Sequence, residues 1–257
     1  MATSLFDSVI FGPVVSRRLG ISLGVNLLPT DNKICSFNCI YCECGWNGGG
    51  GKARFNSRET VNRELRKKLE EMSAEGKLPD VITFAGNGEP TMHPDFPQII
   101  DDTIALRGEL APQAKIAVLS NAAMIGREAV RNALLKVDRN ILKLDSAFDE
   151  TVRLIDDPNG NYTVARTVEL MKLFDGKLII QTMFLRGRYE GQIVDNTTER
   201  EVSAWLGLLR EINPRQVMIY TIDRDTPADG LEKIPLCELN RIAERVRALG
   251  FECSVSG

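Results

Sequence analysis

The feature that most restricts how this chain can fold is a repeated alternation. Short apolar, β-branched runs at 21–27, 81–85, 116–119, 141–144, 178–184 and 216–222 alternate with longer amphipathic segments at 57–75, 96–107, 127–136, 164–174, 199–212 and 236–249. Near-continuous apolar runs suit strands covered on both faces, and helix-length connections suit parallel crossovers. Six βα units are too few for a closed eight-stranded barrel. The repeat therefore predicts an α/β chain with a partial (β/α)6 barrel. Ser57 and Thr60 mark a helix start, Gly250 marks a helix end, and 251–255 reads as a short last strand. No linker or shift in composition divides the chain, so residues 1–257 are expected to form a single domain.

Between the first strand and the first helix lies Cys35-Ser-Phe-Asn-Cys39-Ile-Tyr-Cys42, a C-x3-C-x2-C run. Three thiolates this close can hold one metal centre, and soft sulfur favours iron–sulfur, zinc or copper(I). Three cysteines on a four-iron cluster would leave one iron open to a substrate or cofactor. Cys44 follows two residues later, so a four-thiolate zinc site is the competing reading. Structural zinc sites, however, usually draw on two separated cysteine pairs, and Cys237 and Cys253 lie far away and unpaired in spacing. The Gly48–Gly51 run is flexible by composition and stands at the edge of this loop.

In parallel α/β folds, ligands bind at the carboxyl ends of the strands. After the second strand comes Gly86-Asn87-Gly88-Glu89-Pro90. Glycines there permit close backbone approach, and a carboxylate can hold an ammonium group. After the third strand come Ser120 and Asn121, small polar groups suited to a ribose or a carboxylate. On the fourth, Lys143 and Asp145 share one face and must pair with each other or bind a ligand. On the fifth, Gln181 and Met183 share a face, Gln181 polar and Met183 a core or ligand neighbour. Tyr220, Asp223 and Arg224 follow at the sixth and are candidates to reach substrate. His93, the only histidine, is either a general acid–base or a structural loop residue.

The cysteine spacing, joined with Glu89-Pro90 at the neighbouring strand end, resembles the radical S-adenosylmethionine (SAM) superfamily. That resemblance implies a TIM-like partial (β/α)6 barrel. It also implies a [4Fe–4S] cluster on Cys35, Cys39 and Cys42, with the amino and carboxylate groups of SAM on the fourth iron. Tyr41 matches the aromatic residue that lies against the adenine. The Gly86–Pro90 run stands where the family has its GGE element, here with Gly-Asn-Gly in place of Gly-Gly. Joined with the strand-end reading, the candidate SAM shell is Tyr41, Gly86, Asn87, Gly88, Glu89, Pro90, Ser120, Asn121, Lys143, Asp145 and Gln181. Lys143 and Asp145 are also the candidate catalytic residues. The implied reaction is reductive cleavage of SAM to a 5′-deoxyadenosyl radical that takes hydrogen from an unidentified substrate. A flavodoxin- or ferredoxin-like protein would donate the electron.

Residues 12–20, the Gly-Glu-Pro-Thr-Met-His-Pro run and 142–145 resemble small proteins related to the wyosine-base synthases that modify tRNA. Archaeal wyosine enzymes carry a second cysteine set upstream, whereas no cysteine precedes Cys35 here. In that branch a lysine is implicated near pyruvate, a role not assigned to Lys143. Arg17 and Arg18 precede the first predicted strand and read as structural or partner-binding.

Composition limits the remaining choices. The net charge of −3 gives no global attraction to nucleic acid. Lys52, Arg54, Arg58, Arg63, Arg66, Lys67 and Lys68 form a local basic stretch, but interleaved glutamates make it a solvated helix face. No apolar run is long enough to span a membrane, and the start lacks a signal-peptide pattern, so a cytoplasmic protein is expected. Three alternatives to a general radical SAM enzyme stay open. A glycyl-radical-enzyme activase would form a stable complex with a large partner. A tRNA-modifying enzyme would bind RNA with salt sensitivity. A non-catalytic module would hold zinc and no iron.

Overall fold

The computed structural model describes residues 5–16, 19–48 and 54–257. In chain order the elements are β1 (Ile10–Ser16), β2 (Gly20–Val25), α1 (Arg58–Ala74), β3 (Val81–Phe84), a 3-10 turn (Pro90–Met92), α2 (Phe96–Leu110), β4 (Lys115–Ser120), α3 (Glu128–Lys136) and β5 (Arg139–Lys143). There follow α4 (Asp149–Asp156), α5 (Val164–Lys172), β6 (Ile179–Met183), β7 (Leu185–Tyr189), β8 (Gln192–Asp195), α6 (Glu199–Ile212), β9 (Gln216–Tyr220), β10 (Leu231–Lys233), α7 (Leu236–Ala248) and β11 (Glu252–Ser256).

The main sheet runs β1-β2-β3-β4-β5-β6-β9-β11. Every neighbouring pair from β2 to β11 is parallel, and β1 closes one edge antiparallel. Six βα units, from β2–α1 to β9–α7, make an open, curled partial barrel, as the alternation predicted. The last strand is present as β11, paired in parallel with β9.

Alternation along each strand sorts the residues. Leu23, Val25, Ile82, Phe84, Ile116, Val118, Leu142, Ile180, Val217 and Ile219 join the large core with the helices. Val81, Ala117, Ile141, Ile179 and Met218 form a separate, smaller apolar layer. Ser57 caps α1 by accepting from the Thr60 amide, and Gly250 follows α7 with φ +91°.

Several elements went unseen in the sequence. In β1, Pro13 interrupts the apolar pattern and Val15 is 88% exposed, which suits an edge strand and nothing more central. Strands β7 and β8 meet at Glu190-Gly191, both left-handed, without the Asn-Gly or Asp-Gly that announces such a hairpin. With β10 they form a second, three-stranded sheet. Helix α4 is only eight residues long, too short for a clear period. Arg17, Arg18, Gly49–Gly51 and Lys52 fall outside the described residues. In the rest of the basic stretch, Arg58 pairs with Asp102, Arg66 with Glu70 and Glu109, Arg63 with Glu64, and Lys68 with Glu71, as a solvated helix face should. No helix among the described residues is long and apolar enough to cross a membrane.

Candidate active site

The cysteine loop leaves the carboxyl end of β2 and is fastened on several sides. Ile34 bridges Gly88: the Ile34 amide donates to the Asn87 carbonyl at 2.9 Å, and the Glu89 amide donates to the Ile34 carbonyl at 3.1 Å. The amides of Asn38 and Ile40 reach the carbonyls of Asp156 and Ile155 at the end of α4. Asn47 accepts from the Cys35 amide and donates to the carbonyls of Cys35 and Phe37. A loop held this way presents its side chains from a fixed frame.

These contacts explain the glycines. Gly88 has φ +134°, and a Cβ there would lie 1.7 Å from the Ile34 carbonyl oxygen. At Gly86, φ +137°, a Cβ would lie 2.5 Å from Asn26 Oδ1. The sequence suggested close approach to a ligand, and the structure gives both glycines a reason in close approach to the protein itself. Asn87 is likewise engaged: its amide nitrogen donates to the carbonyls of Phe6 and Pro29 at 2.8 Å, and its oxygen accepts from the Phe6 amide. Pro90 is buried at the start of the 3-10 turn.

Glu89 lies at the centre of this face, 2% exposed. Its Oε1 accepts from the Thr91 amide at 3.0 Å, from the Thr91 hydroxyl, and from Ser120 Oγ at 2.9 Å. Its Oε2 accepts from the Asn121 amide at 2.6 Å. Among the described residues, no Lys, Arg or His nitrogen lies within 4.0 Å of it. Burial raises its pKa, against the pull of those four donors. The Asn121 side chain continues the link, donating to Ser36 Oγ at 2.9 Å and to Cys35 Sγ at 3.5 Å. Residues after β2, β3 and β4 thus meet at one place.

Cys39 is buried, and Cys35, Cys42 and Cys44 are partly exposed. Among the described residues no three Cys, His, Asp or Glu side chains stand together as a metal-binding group. Burial, then the nearby Glu89 charge, pushes Cys35 up to about 12. Burial also pushes Cys39 well up. Cys42 goes the other way, to about 6, first through its hydrogen bond with the Cys44 thiol and then, against burial, through the Lys33 ammonium. Cys44 is raised by the same hydrogen bond, and its sulfur also reaches the Gly86 carbonyl.

On the far side of Cys39 is a buried polar cluster. Lys143 Nζ lies 2.6 Å from Asp145 Oδ2 and 2.9 Å from Asp156 Oδ1. The Tyr41 hydroxyl donates to Asp145, and the Lys143 ammonium sits 4.4 Å from the Tyr41 ring centre. Asp145 Oδ1 accepts from the Met183 amide. Burial lowers Lys143, but the two aspartates outweigh it and hold the ammonium well above its ordinary range. Burial lifts Asp156 to about 7, with Lys143 opposing. Of the two readings of Lys143 and Asp145, the structure contains the internal ion pair. Asp156 was missed because one aspartate in a short charged helix carries no signal. Lys33 was missed for a similar reason, a lone lysine between loop residues.

The other candidates lie around this centre. Gln181, in register with Lys143 on the neighbouring strand, donates to the Tyr220 hydroxyl at 3.0 Å. Met183 packs with Phe37, Cys39, Ile40 and Tyr41. Arg224 pairs with Glu43 of the cysteine loop at 3.0 Å, and Asp223 with Lys233 at 3.4 Å. His93 is buried as a loop clasp. Its Nδ1 accepts from the Asp95 amide, which leaves Nε2 to donate to the Asn56 carbonyl at 2.8 Å.

Residues 31–196 match the model of the Radical SAM superfamily. A UPF0026 protein of Methanocaldococcus jannaschii is 32% identical over 238 residues, which are 90% of this chain and 68% of that protein. A protein of Brachyspira hyodysenteriae named GTPase Obg is 30% identical over 223 residues, 84% of this chain but only 30% of that one. The fold is similar to that of a radical SAM methyltransferase from Sphaerobacter thermophilus, with TM-score 0.69 and 15% identity over 91% of this chain and 65% of that one. It is also similar to TYW1 with a lysine-pyruvate adduct bound, with TM-score 0.62 and 14% identity over 88% of this chain and 73% of that one.

Proposed function

The chain belongs to the radical SAM superfamily, a family of enzymes that use a [4Fe–4S] cluster and SAM, and from that premise we propose that Cys35, Cys39 and Cys42 hold the cluster while Glu89 holds the amino group of SAM. The observation that carries this reading is Glu89. It is a fully enclosed carboxylate with four donors and, among the described residues, no cation within ion-pair distance, and an isolated buried charge is costly unless a partner arrives. An ammonium group is such a partner. The donor set fits the cluster as well: three thiols on one clamped loop are soft ligands, and three ligands leave an iron free. When bound, the cluster and SAM together supply a 5′-deoxyadenosyl radical for hydrogen abstraction from the substrate.

The chain's own residues position and protect. Ser120, Asn121 and Thr91 fix the two Glu89 oxygens, so the carboxylate does not have to reorganise when a ligand amine arrives. Asn121 ties that carboxylate to Cys35, which fixes the spacing between amine site and metal site. Lys143, held between two aspartates, stays an ammonium. It buttresses Tyr41 and is not poised as a nucleophilic amine, in keeping with its not taking the pyruvate-linked role of the wyosine branch. Cys44, whose thiol donates to the Gly86 carbonyl at 3.4 Å, stands outside the ligand set. A one-electron donor of flavodoxin or ferredoxin type and a still unassigned substrate complete the reading. Residues 1–257 act in it as one unit.

The test is a titration of SAM into anaerobically reconstituted protein, followed by electron paramagnetic resonance of the reduced cluster. A change of signal on adding SAM is expected. Full iron and sulfide with no spectral response to SAM would overturn the open-iron arrangement.

A further inference from the structure

Lys33 is an unusual residue to find where it is. It is 3% exposed, and its ammonium donates to the Gly45 carbonyl at 2.6 Å. Among the described residues no carboxylate lies within 4.0 Å of it. Asp31, two residues before it, is exposed and makes no ion pair with it, and Glu43 of the cysteine loop is taken by Arg224. Lys143, on the Cys39 side, gives the contrast: two aspartates neutralise it. A buried lysine with no carboxylate partner is almost never kept, because the charge costs far more than one carbonyl returns. Gly45, whose carbonyl holds that ammonium, also donates its amide to the Cys42 carbonyl at 2.9 Å, so the Lys33 charge ends at the turn that carries Cys42.

We propose that Lys33 is the charge-compensating residue of the metal centre, a positioning residue whose buried ammonium stabilises the thiolate-ligated cluster and makes its reduced form easier to reach. The proposal rests on the assignment of Cys35 and Cys42 as ligands. A thiolate-ligated iron–sulfur cluster is anionic, and the electron it accepts adds one negative charge. A fixed cation nearby favours the reduced form more than the oxidised one. Hydrogen bonds and charges around the sulfurs are known levers on such potentials. Burial matters for the same reason, since a solvated lysine at this distance would be screened.

The experiment compares wild type with Lys33→Met and Lys33→Arg after anaerobic reconstitution, without SAM. Iron and sulfide are counted per chain, and the midpoint potential is read by redox titration followed by electron paramagnetic resonance. Lys33→Met is expected to take up a full cluster and to lower the reduction equilibrium at least tenfold, about 59 mV more negative for one electron. Lys33→Arg should stay near wild type. A fully loaded Lys33→Met with an unchanged midpoint overturns the proposal and leaves the ligand assignment standing. If Lys33→Met fails to load and Lys33→Arg loads, the charge role is supported. If both are folded by circular dichroism and both fail, Lys33 serves packing and the proposal falls. Failure of the wild type itself to bind iron would instead overturn the three-cysteine site.

Discussion

Replacing Glu89 with glutamine keeps the side-chain shape and removes its charge. The four donors around the carboxylate decide how the amide sits. Oε1 accepts three hydrogen bonds and Oε2 accepts one, so the amide nitrogen has to take the Oε2 position and there faces the Asn121 amide, donor against donor. Losing that 2.6 Å bond costs about 1–3 kcal/mol of stability, less whatever is regained by no longer burying a charge. The larger effect falls on the ligand. A charge-assisted hydrogen bond to an ammonium is worth about 1.5–3 kcal/mol, so SAM affinity should drop roughly 10- to 150-fold. Isothermal calorimetry of SAM into the reconstituted variant measures this, with iron content confirming that the cluster is intact. Urea unfolding of the same protein separates folding from binding. Unchanged SAM affinity with a weakened fold would show that Glu89 only caps the Pro90–Met92 turn, and the amine-site assignment would be withdrawn.

Alanine at Cys35, Cys39 or Cys42 should abolish the cluster, while Cys44→Ala should retain it; equal loss of iron in all four would contradict the three-ligand site. Before reconstitution, Cys42 should be the first thiol alkylated, its rate rising with pH through about 6, because its folded pKa is depressed from the ordinary value of 9.0; a midpoint near 9 in peptide-resolved iodoacetamide labelling would refute that. Lys143→Met strips Asp145 and Asp156 of their shared cation and should destabilise the fold by about 3–5 kcal/mol in urea unfolding, whereas a loss below 1 kcal/mol would show that the pair is not structural.

The parts of this molecule that repeat were legible in the sequence, and the parts that occur once were not. The strands that became β2–β6 and β9 have both faces covered, so their apolar runs stand out. The edge strand β1 and the β7–β8 hairpin carry exposed or charged residues and turn chemistry without a strong signature. The same holds at the site. Cys35, Cys39, Cys42 and Glu89 announce themselves by spacing and by position after strands. Lys143 and Asp145 were visible as two polar residues on one strand face, but their third member, Asp156, arrives from α4 through tertiary packing. Gly86 and Gly88 show how a correct position can have a different cause. They are glycine because Asn26 and the Ile34 carbonyl occupy the space of a side chain. Lys33 has no local pattern at all, and only its burial reveals it.

The most direct test of the account is product analysis after anaerobic reconstitution, with SAM and a chemical reductant supplied and no substrate added. In the proposed reading the residues gathered after β2, β3 and β4 serve the cluster and SAM, so cleavage should not wait for the substrate. Slow formation of 5′-deoxyadenosine and methionine is expected in wild type, and none in Cys39→Ala. Protein that carries its full cluster, is reduced and binds SAM, yet yields no 5′-deoxyadenosine even when cell extract is added as a source of substrate, would contradict the enzymatic reading.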